Sequence, residues 1–421
     1  MTVGRRHDGS PRVVVTGIGV KSPAGNSLEE AYATVLSGKS QATHLPELMD
    51  AGLAVTFGCP VPEFDTGVYF GTVENRHLDR ATKLGVAAAA DAVADSGQDF
   101  RTDPDRSGVY VGTGGVNLAS TVTLAGHQHD GDLSRVPVIA VPMIMPNSTA
   151  ARIAIRYAVQ GPCLTVNAAC ASGATAIGEA MLAIRAGRID RAVTGGVDAL
   201  LTPFFMAAFA RLGALSRRNQ APAEASRPFD GARDGFVMAE GAAFLVLERL
   251  EDADRRGATI YGEISGYAAT TDAAHIVKPR DDGAMVARCM RAALGDAGLA
   301  PAEVGHVNTH GSSTMVNDRA EAAAIRACFG HPAPPITATK GVTGYLLGAG
   351  GAFEAALALL CGRDGLVPPI ANFIAARGTP DPDVAGLDIV HAQPRETAPA
   401  PALSTSIGFG GHNAALVLTP L

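Results

Sequence analysis

The chain has 421 residues, of which 47% are apolar and 18% charged, and its formal net charge is −7. That length exceeds one ordinary domain and the composition supplies a large core, so two domains or two fused half-domains are expected. The acidic balance, without any long basic run, argues against a nucleic-acid partner.

The six cysteines, at 59, 163, 170, 289, 328 and 361, form no C-x-x-C pair and have no histidines at zinc-finger spacing. Neither a disulfide framework nor a structural metal is expected. Met1 to Pro11 is polar and lacks an apolar h-region, so it reads as a short frayed leader on a cytoplasmic protein. The most apolar stretches, near 193–210 and 341–361, are broken by Gly, Asp198, Pro203 or Glu354 and read as core rather than membrane spans.

Arg12-Val-Val-Val-Thr-Gly-Ile-Gly19 predicts a buried strand ending in a tight glycine loop. Gly17-Ile-Gly-Val-Lys-Ser22 lacks the third glycine of a dinucleotide fingerprint and has no acid about twenty residues on, so nucleotide binding is not expected. Ser27-Leu-Glu-Glu30 reads as a capping box for a helix stopping at Gly38. Next come a helix (Ala81–Ala94), a strand (Val109–Val111), a turn (Gly112–Gly115), a strand (Leu164–Val166), a helix (Ala171–Ala186) and a strand (Arg191–Val193). A second series runs through a strand (Ile260–Ile264), helix (Gly283–Ala297), strand (Val304–Asn308), helix (Asp318–Cys328), helix (Gly348–Leu360) and the strand-rich Ala402–Leu418. The alternation predicts a layered α/β fold, and the matching content of the halves suggests duplication. Residues 1–258 are taken as the first half and 259–421 as the second. Segment 394–401, rich in Pro and Ala, reads as a surface loop.

Leu164-Thr-Val-Asn-Ala-Ala-Cys170 places a cysteine where a strand meets a helix of small and apolar residues. Unpaired N–H groups and the helix dipole favour thiolate there, so a lowered pKa is expected, and small neighbours leave room for a substrate. The alternative is a small buried hydrophobe, which suits Cys163, Cys289, Cys328 and Cys361. Asn308-Thr-His-Gly-Ser-Ser-Thr314 offers His310 at a strand end with nearby hydroxyls, and Asp318-Arg-Ala-Glu321 reads as a helix cap. Lys340 lies in apolar surroundings, where Glu354 could pair with it. Ser404-Thr-Ser-Ile-Gly-Phe-Gly-Gly-His-Asn413 is a glycine-rich turn around Phe409 whose N–H groups could face a ligand, or a plain hairpin in which His412 is structural.

Cys170, His310, Lys340 and Gly408-Phe-Gly-Gly411 together resemble the β-ketoacyl-acyl carrier protein synthases, condensing enzymes of the thiolase superfamily. Ala225-Ser-Arg-Pro-Phe-Asp-Gly-Ala-Arg-Asp-Gly-Phe236 and Glu240-Gly-Ala carry the same likeness, which runs from Arg12 to Leu418. The resemblance implies duplicated βαβαβαββ halves in five layers, α-β-α-β-α. It implies an acyl carrier protein as partner, and a homodimer or a heterodimer with a ketosynthase-like subunit. No cofactor is implied beyond the phosphopantetheine arm that the carrier protein brings. Cys170 would take the acyl chain, and its N–H and that of Phe409 would form the oxyanion hole. Phe409 would also gate the acyl pocket, Ser312 and Thr314 would contact the pantetheine, and Lys340 and Glu354 would be a supporting ion pair.

One position departs from the family. Gly344-Tyr-Leu-Leu-Gly-Ala349 places Tyr345 where the family has a second histidine. A phenol can donate a hydrogen bond, but a pKa near 10 makes it a poor shuttle at neutral pH. Loss of one oxyanion donor costs about 3–4 kcal/mol. The leading expectation is decarboxylative condensation with a carrier-bound malonyl unit, with His310 and Tyr345 as donors. The alternatives are acyl transfer to another nucleophile without decarboxylation, and a partner subunit like the chain-length factors. Phe204, Phe205 and Met206 are expected to set pocket depth, and Arg211, Arg217, Arg218, Lys278 and Arg280 to dock an acidic carrier.

Overall fold

The computed structural model describes residues 4–115, 117–373 and 381–421. Its first five main strands are β1 (Val13–Lys21), β2 (Ser107–Gly112), β3 (Cys163–Val166), β4 (Arg191–Asp198) and β5 (Gly241–Arg249). Five more follow: β6 (Gly262–Thr271), β7 (His306–Asn308), β8 (Ile336–Thr337), β9 (Ala402–Gly408) and β10 (His412–Thr419). The interleaved helices are α1 (Arg80–Ser96), α2 (Ser148–Tyr157), α3 (Ser172–Arg185), α4 (Pro203–Leu212), α5 (Ala284–Ala297), α6 (Met315–Phe329) and α7 (Gly350–Asp364).

The strands run in the order β8-β7-β9-β10-β6-β1-β5-β4-β2-β3. Each side of the β6/β1 seam repeats one plan. Its first strand pairs antiparallel with its fifth, the fifth antiparallel with its fourth, and the rest are parallel. The seam is two residue pairs, Val14 with Glu263 and Val15 with Gly262. Helices α1 and α2 cover the outer face of the first sheet, and α5 covers that of the second with α6 packed on it. Helices α3 and α7 lie between the sheets and touch both. The result is the thiolase-like five-layer arrangement, with a duplication visible in topology.

Glycines set the close spacing of these layers. A Cβ at Gly17 or Gly19 would lie 2.1 Å from Ala92 O or 2.0 Å from Ala88 O, so β1 runs straight under α1. The expected glycine loop is therefore strand instead, interrupted only by a bulge between Val15 and Gly17. A Cβ at Gly173 of α3 would lie 2.7 Å from Gly348 O, which lets the two central helices meet closely.

Three other expectations change. Residues 4–11 are not frayed, because Arg6 donates to Ser265 O at 2.6 Å and pairs with Asp296; Met1–Val3 lie outside the described residues. Ser27 caps its helix, but Glu30 reaches back to Asn26 N at 3.0 Å rather than to Ser27, so the box is incomplete. Helix α6 begins at Met315, capped by Thr314, whose hydroxyl accepts from Asn317 N. Asp318 and Glu321 lie inside that helix, fully buried, and are not caps.

Candidate active site

The turn after β3 aims Cys170. Ala169 holds φ at 49°, a left-handed conformation that costs about 1 kcal/mol and persists only when its surroundings enforce it. Ser172 enforces it: its hydroxyl accepts from Ala168 N at 2.9 Å and lies 2.5 Å from Ala169 O. Asn167 adds a bond from Ala169 N at 3.1 Å. Cys170 thus projects just before the N-cap Ala171 of α3.

The β9–β10 hairpin delivers Phe409 to the same point. Phe409 and Cys170 line the same cavity. A Cβ at Gly408 would lie 2.7 Å from Ala168 O and 3.1 Å from Cys170 N, so glycine is required for this approach. The hairpin and ligand-facing readings of the turn are therefore compatible, while His412, paired with Gly408 beside the turn, is exposed.

His310 follows β7. Its backbone N–H donates to Glu321 Oε1 at 2.7 Å, and its carbonyl accepts from Lys340 Nζ at 2.6 Å. Lys340 also pairs with Glu354, both about 1% exposed, and Thr339 donates to the same carboxylate oxygen at 3.1 Å. Burial, with the charge of Lys340, holds His310 well below its ordinary pKa, so the ring is neutral.

Tyr345 packs edge-on against Phe236, with ring centroids 4.9 Å apart, and its face lies 5.3 Å from Lys340 Nζ. Its hydroxyl is 2.9 Å from His310 Nε2, and Tyr345 lines the same cavity as Cys170. Burial drives the phenol well above its usual range, and Cys170 adds to that.

Cys170 itself departs from the expectation of a lowered pKa. Burial pushes the thiol up to about 11; the Tyr345 hydroxyl, Lys340 and the Phe409 N–H oppose that push, while Asp198 adds to it. Loss of hydration outweighs the local stabilisation that the sequence position promised.

Two cavities meet here. An outer one of about 240 Å³ is lined by Lys278, His310, Ser312, Thr314, Tyr345 and Phe409, among others. An inner, mainly apolar one of about 120 Å³ reaches Cys170, Leu200, Phe209 and Leu347. Phe236, Tyr345 and Phe409 line both and form the partition. The Ser312 and Thr314 hydroxyls lie 2.9 Å apart in the outer cavity. The structure thus gathers Cys170, His310, Lys340, Tyr345, Glu354, Phe409, Ser312 and Thr314 into one region. Helix α4 contributes Phe209 to the inner wall, rather than the expected Phe204, Phe205 or Met206.

Sequence reasoning missed several supporting groups. Asp198, at the end of β4, accepts from Thr113 Oγ1, Gly114 N, Gly115 N and Gly348 N at 2.6–2.9 Å and so ties both halves beneath Cys170. Asp318 accepts from Phe229 N at 2.8 Å and faces the buried Arg233. Phe236 sits in a motif already singled out, which was its one available signal. Among the described residues no group of three or more His, Cys, Asp or Glu side chains could hold a metal ion, and no helix is long and apolar enough to cross a membrane.

A strand-aimed cysteine, a donor N–H from a second half and a histidine beside a buried ion pair define a thiolase-type condensing site. The family described as "Beta-ketoacyl synthase, N-terminal domain" matches residues 10–253, and "Beta-ketoacyl synthase, C-terminal domain" matches 261–374; the chain belongs to the beta-ketoacyl synthase family. It is 38% identical over 410 residues to 3-oxoacyl-[acyl-carrier-protein] synthase 2 of Staphylococcus aureus (strain COL), covering 96% of this chain and 97% of that one. The synthase 2 of Synechocystis sp. is 38% identical over 408 residues, with 96% and 97% covered. Among solved structures, a beta-ketoacyl synthase from Burkholderia phymatum STM815 superposes with TM-score 0.90 at 32% identity, covering 97% and 99%. A type II PKS acyl-carrier protein in complex with its ketosynthase bound to the hexaketide gives 0.89 at 31% identity, covering 98% and 100%.

Proposed function

We propose that this protein is a condensing acyltransferase. It loads an acyl chain from an acyl carrier protein onto Cys170 and joins it to a carrier-bound malonyl unit in fatty acid or polyketide synthesis. The observation that carries this reading is the position of Cys170 on the inner cavity, which shares Phe236, Tyr345 and Phe409 with the outer one. The outer cavity suits a pantetheine arm and the inner one the start of an acyl chain.

In this reading the sulfur attacks the thioester carbonyl and the pantetheine thiol leaves. The N–H groups of Cys170 and Phe409 stabilise the oxyanion. Malonyl thioester then loses CO₂, and the Tyr345 O–H, backed by His310, donates to the enolate oxygen while its carbon attacks the acyl-Cys170 carbonyl. Lys340 and Glu354 position His310, and Ser312 and Thr314 meet the pantetheine. Lys278 lines the outer cavity and is exposed, as are Arg211 and Arg217, and these suit an acidic carrier protein, whereas Arg218 and Arg280 are engaged by Asp234 and Asp282. Residues 1–258 and 259–421 are the two units of the duplication. Six free cysteines support a reducing, cytoplasmic setting.

A dimer fits the same reading. Strand β3 ends the sheet, and Leu164 on it is 50% exposed, an edge that calls for a partner. Leu164→Lys is expected to sediment as a monomer; an unchanged dimer contradicts that interface. The condensing reading itself is tested by mixing the enzyme with acyl and malonyl carrier proteins. Stoichiometric CO₂ and β-keto product support it, and acyl-Cys170 without CO₂ release overturns it.

A further inference from the structure

We propose that Tyr345 is a catalytic proton relay, carrying the thiol proton of Cys170 to His310 during acyl loading. This rests on the reading of Cys170 as nucleophile and assigns the tyrosine a role in the first half-reaction, before any malonyl unit arrives.

The geometry is a chain of three groups. The Tyr345 hydroxyl lies 2.9 Å from His310 Nε2, and Tyr345 and Cys170 line the same small cavity. His310 Nδ1 is buried without a hydrogen-bond partner, so the ring exchanges protons with its surroundings through Nε2. The phenol is held from every side. Tyr345 N donates to Val237 O at 2.7 Å, its carbonyl accepts from Ala239 N at 3.0 Å, and Phe236 abuts the ring. Gly344 precedes it at φ 67°, where a Cβ would lie 2.7 Å from Cys59 Sγ, so the backbone can approach only as glycine.

The step balances. In the proposed scheme the Cys170 S–H turns to Tyr345 Oη, and the Tyr345 O–H donates to His310 Nε2. As a thioester arrives, the S–H bond breaks and Oη takes that proton, while the former phenol proton forms the Nε2–H bond. Tyr345 is neutral before and after and now donates to the thiolate. The sulfur attacks, the pantetheine thiolate leaves, and it recovers the proton from His310. The high pKa of a phenol is no obstacle, because no tyrosinate forms. This corrects the view of Tyr345 as a poor shuttle: it need only exchange one proton for another.

The test compares wild type with Tyr345→Phe and Tyr345→His, without malonyl substrate. Cys170 acylation by a hexanoyl carrier protein is followed by mass spectrometry. In parallel, iodoacetamide alkylation of Cys170 reports thiol activation independently of acyl transfer. Tyr345→Phe is expected to slow both by about 100-fold, and Tyr345→His to restore most of each. A proton inventory in H₂O/D₂O mixtures should be curved in wild type, for two moving protons, and linear in Tyr345→His. That last comparison holds even where Tyr345→Phe folds poorly. Wild-type acylation and alkylation rates in Tyr345→Phe, or a linear wild-type inventory, overturn the relay while leaving condensation intact. Slowed alkylation with no acylation of any variant supports the relay and overturns the acyl-transfer reading instead.

Discussion

Glu321 holds the loop that carries His310: its carboxylate accepts the backbone N–H groups of His310 and Gly311, at 2.7 and 2.8 Å, and the Thr405 hydroxyl at 2.7 Å. One buried acid therefore sets the height of the histidine and links its loop to β9. Burial raises its pKa from 4.5 to about 7 against these hydrogen bonds. Between those values the folded protein binds more protons than the unfolded chain, so stability falls as pH rises from about 4.5 to about 7 and is level above. That difference corresponds to about 3 kcal/mol. Urea midpoints from pH 5 to 8 should show this decline in wild type and a flatter profile in Glu321→Gln. Parallel profiles contradict the assignment.

Gly408→Ala tests the approach of the Phe409 turn to Cys170. The added methyl would press on Ala168 O and Cys170 N and push the Phe409 N–H away from sulfur. Acylation should fall by about 100-fold, with a stability loss of about 1–3 kcal/mol. Acylation kinetics with thermal melting measure both, and an unchanged rate removes Phe409 from the oxyanion site.

Lys340 and Glu354 form a buried pair, so removing one partner strands the other. Lys340→Met or Glu354→Met should each cost about 3–5 kcal/mol, while the double substitution regains much of that loss. A urea-denaturation cycle reads the coupling. Simple additivity shows that the two charges act independently.

Much of this site was legible in the chain because its parts are local. Cys170 sits between a short strand and a helix of small residues, and the Phe409 turn is a glycine-rich hairpin; both are patterns within a dozen residues. What was not legible depends on distant contacts. Gly17 and Gly19 read as a loop because Ala88 and Ala92, which require them to be glycine, lie about seventy residues away. Asp318 and Glu321 read as caps because their backbone partners, near Phe229 and His310, arrive only with the fold. The thiol of Cys170 was expected low from its helix end, but desolvation by both halves decides its pKa. The meeting of Tyr345, His310 and Cys170 joins two loops and a helix start, and no local pattern announces it.

The central claim is that Cys170 carries the acyl chain. Intact-protein mass spectrometry of wild type and Cys170→Ala, each mixed with an acyl carrier protein, tests it most directly. One acyl mass on wild type, mapped to Cys170 and missing from Cys170→Ala, is the predicted result. An unmodified wild type, or an equal adduct on Cys170→Ala, contradicts it.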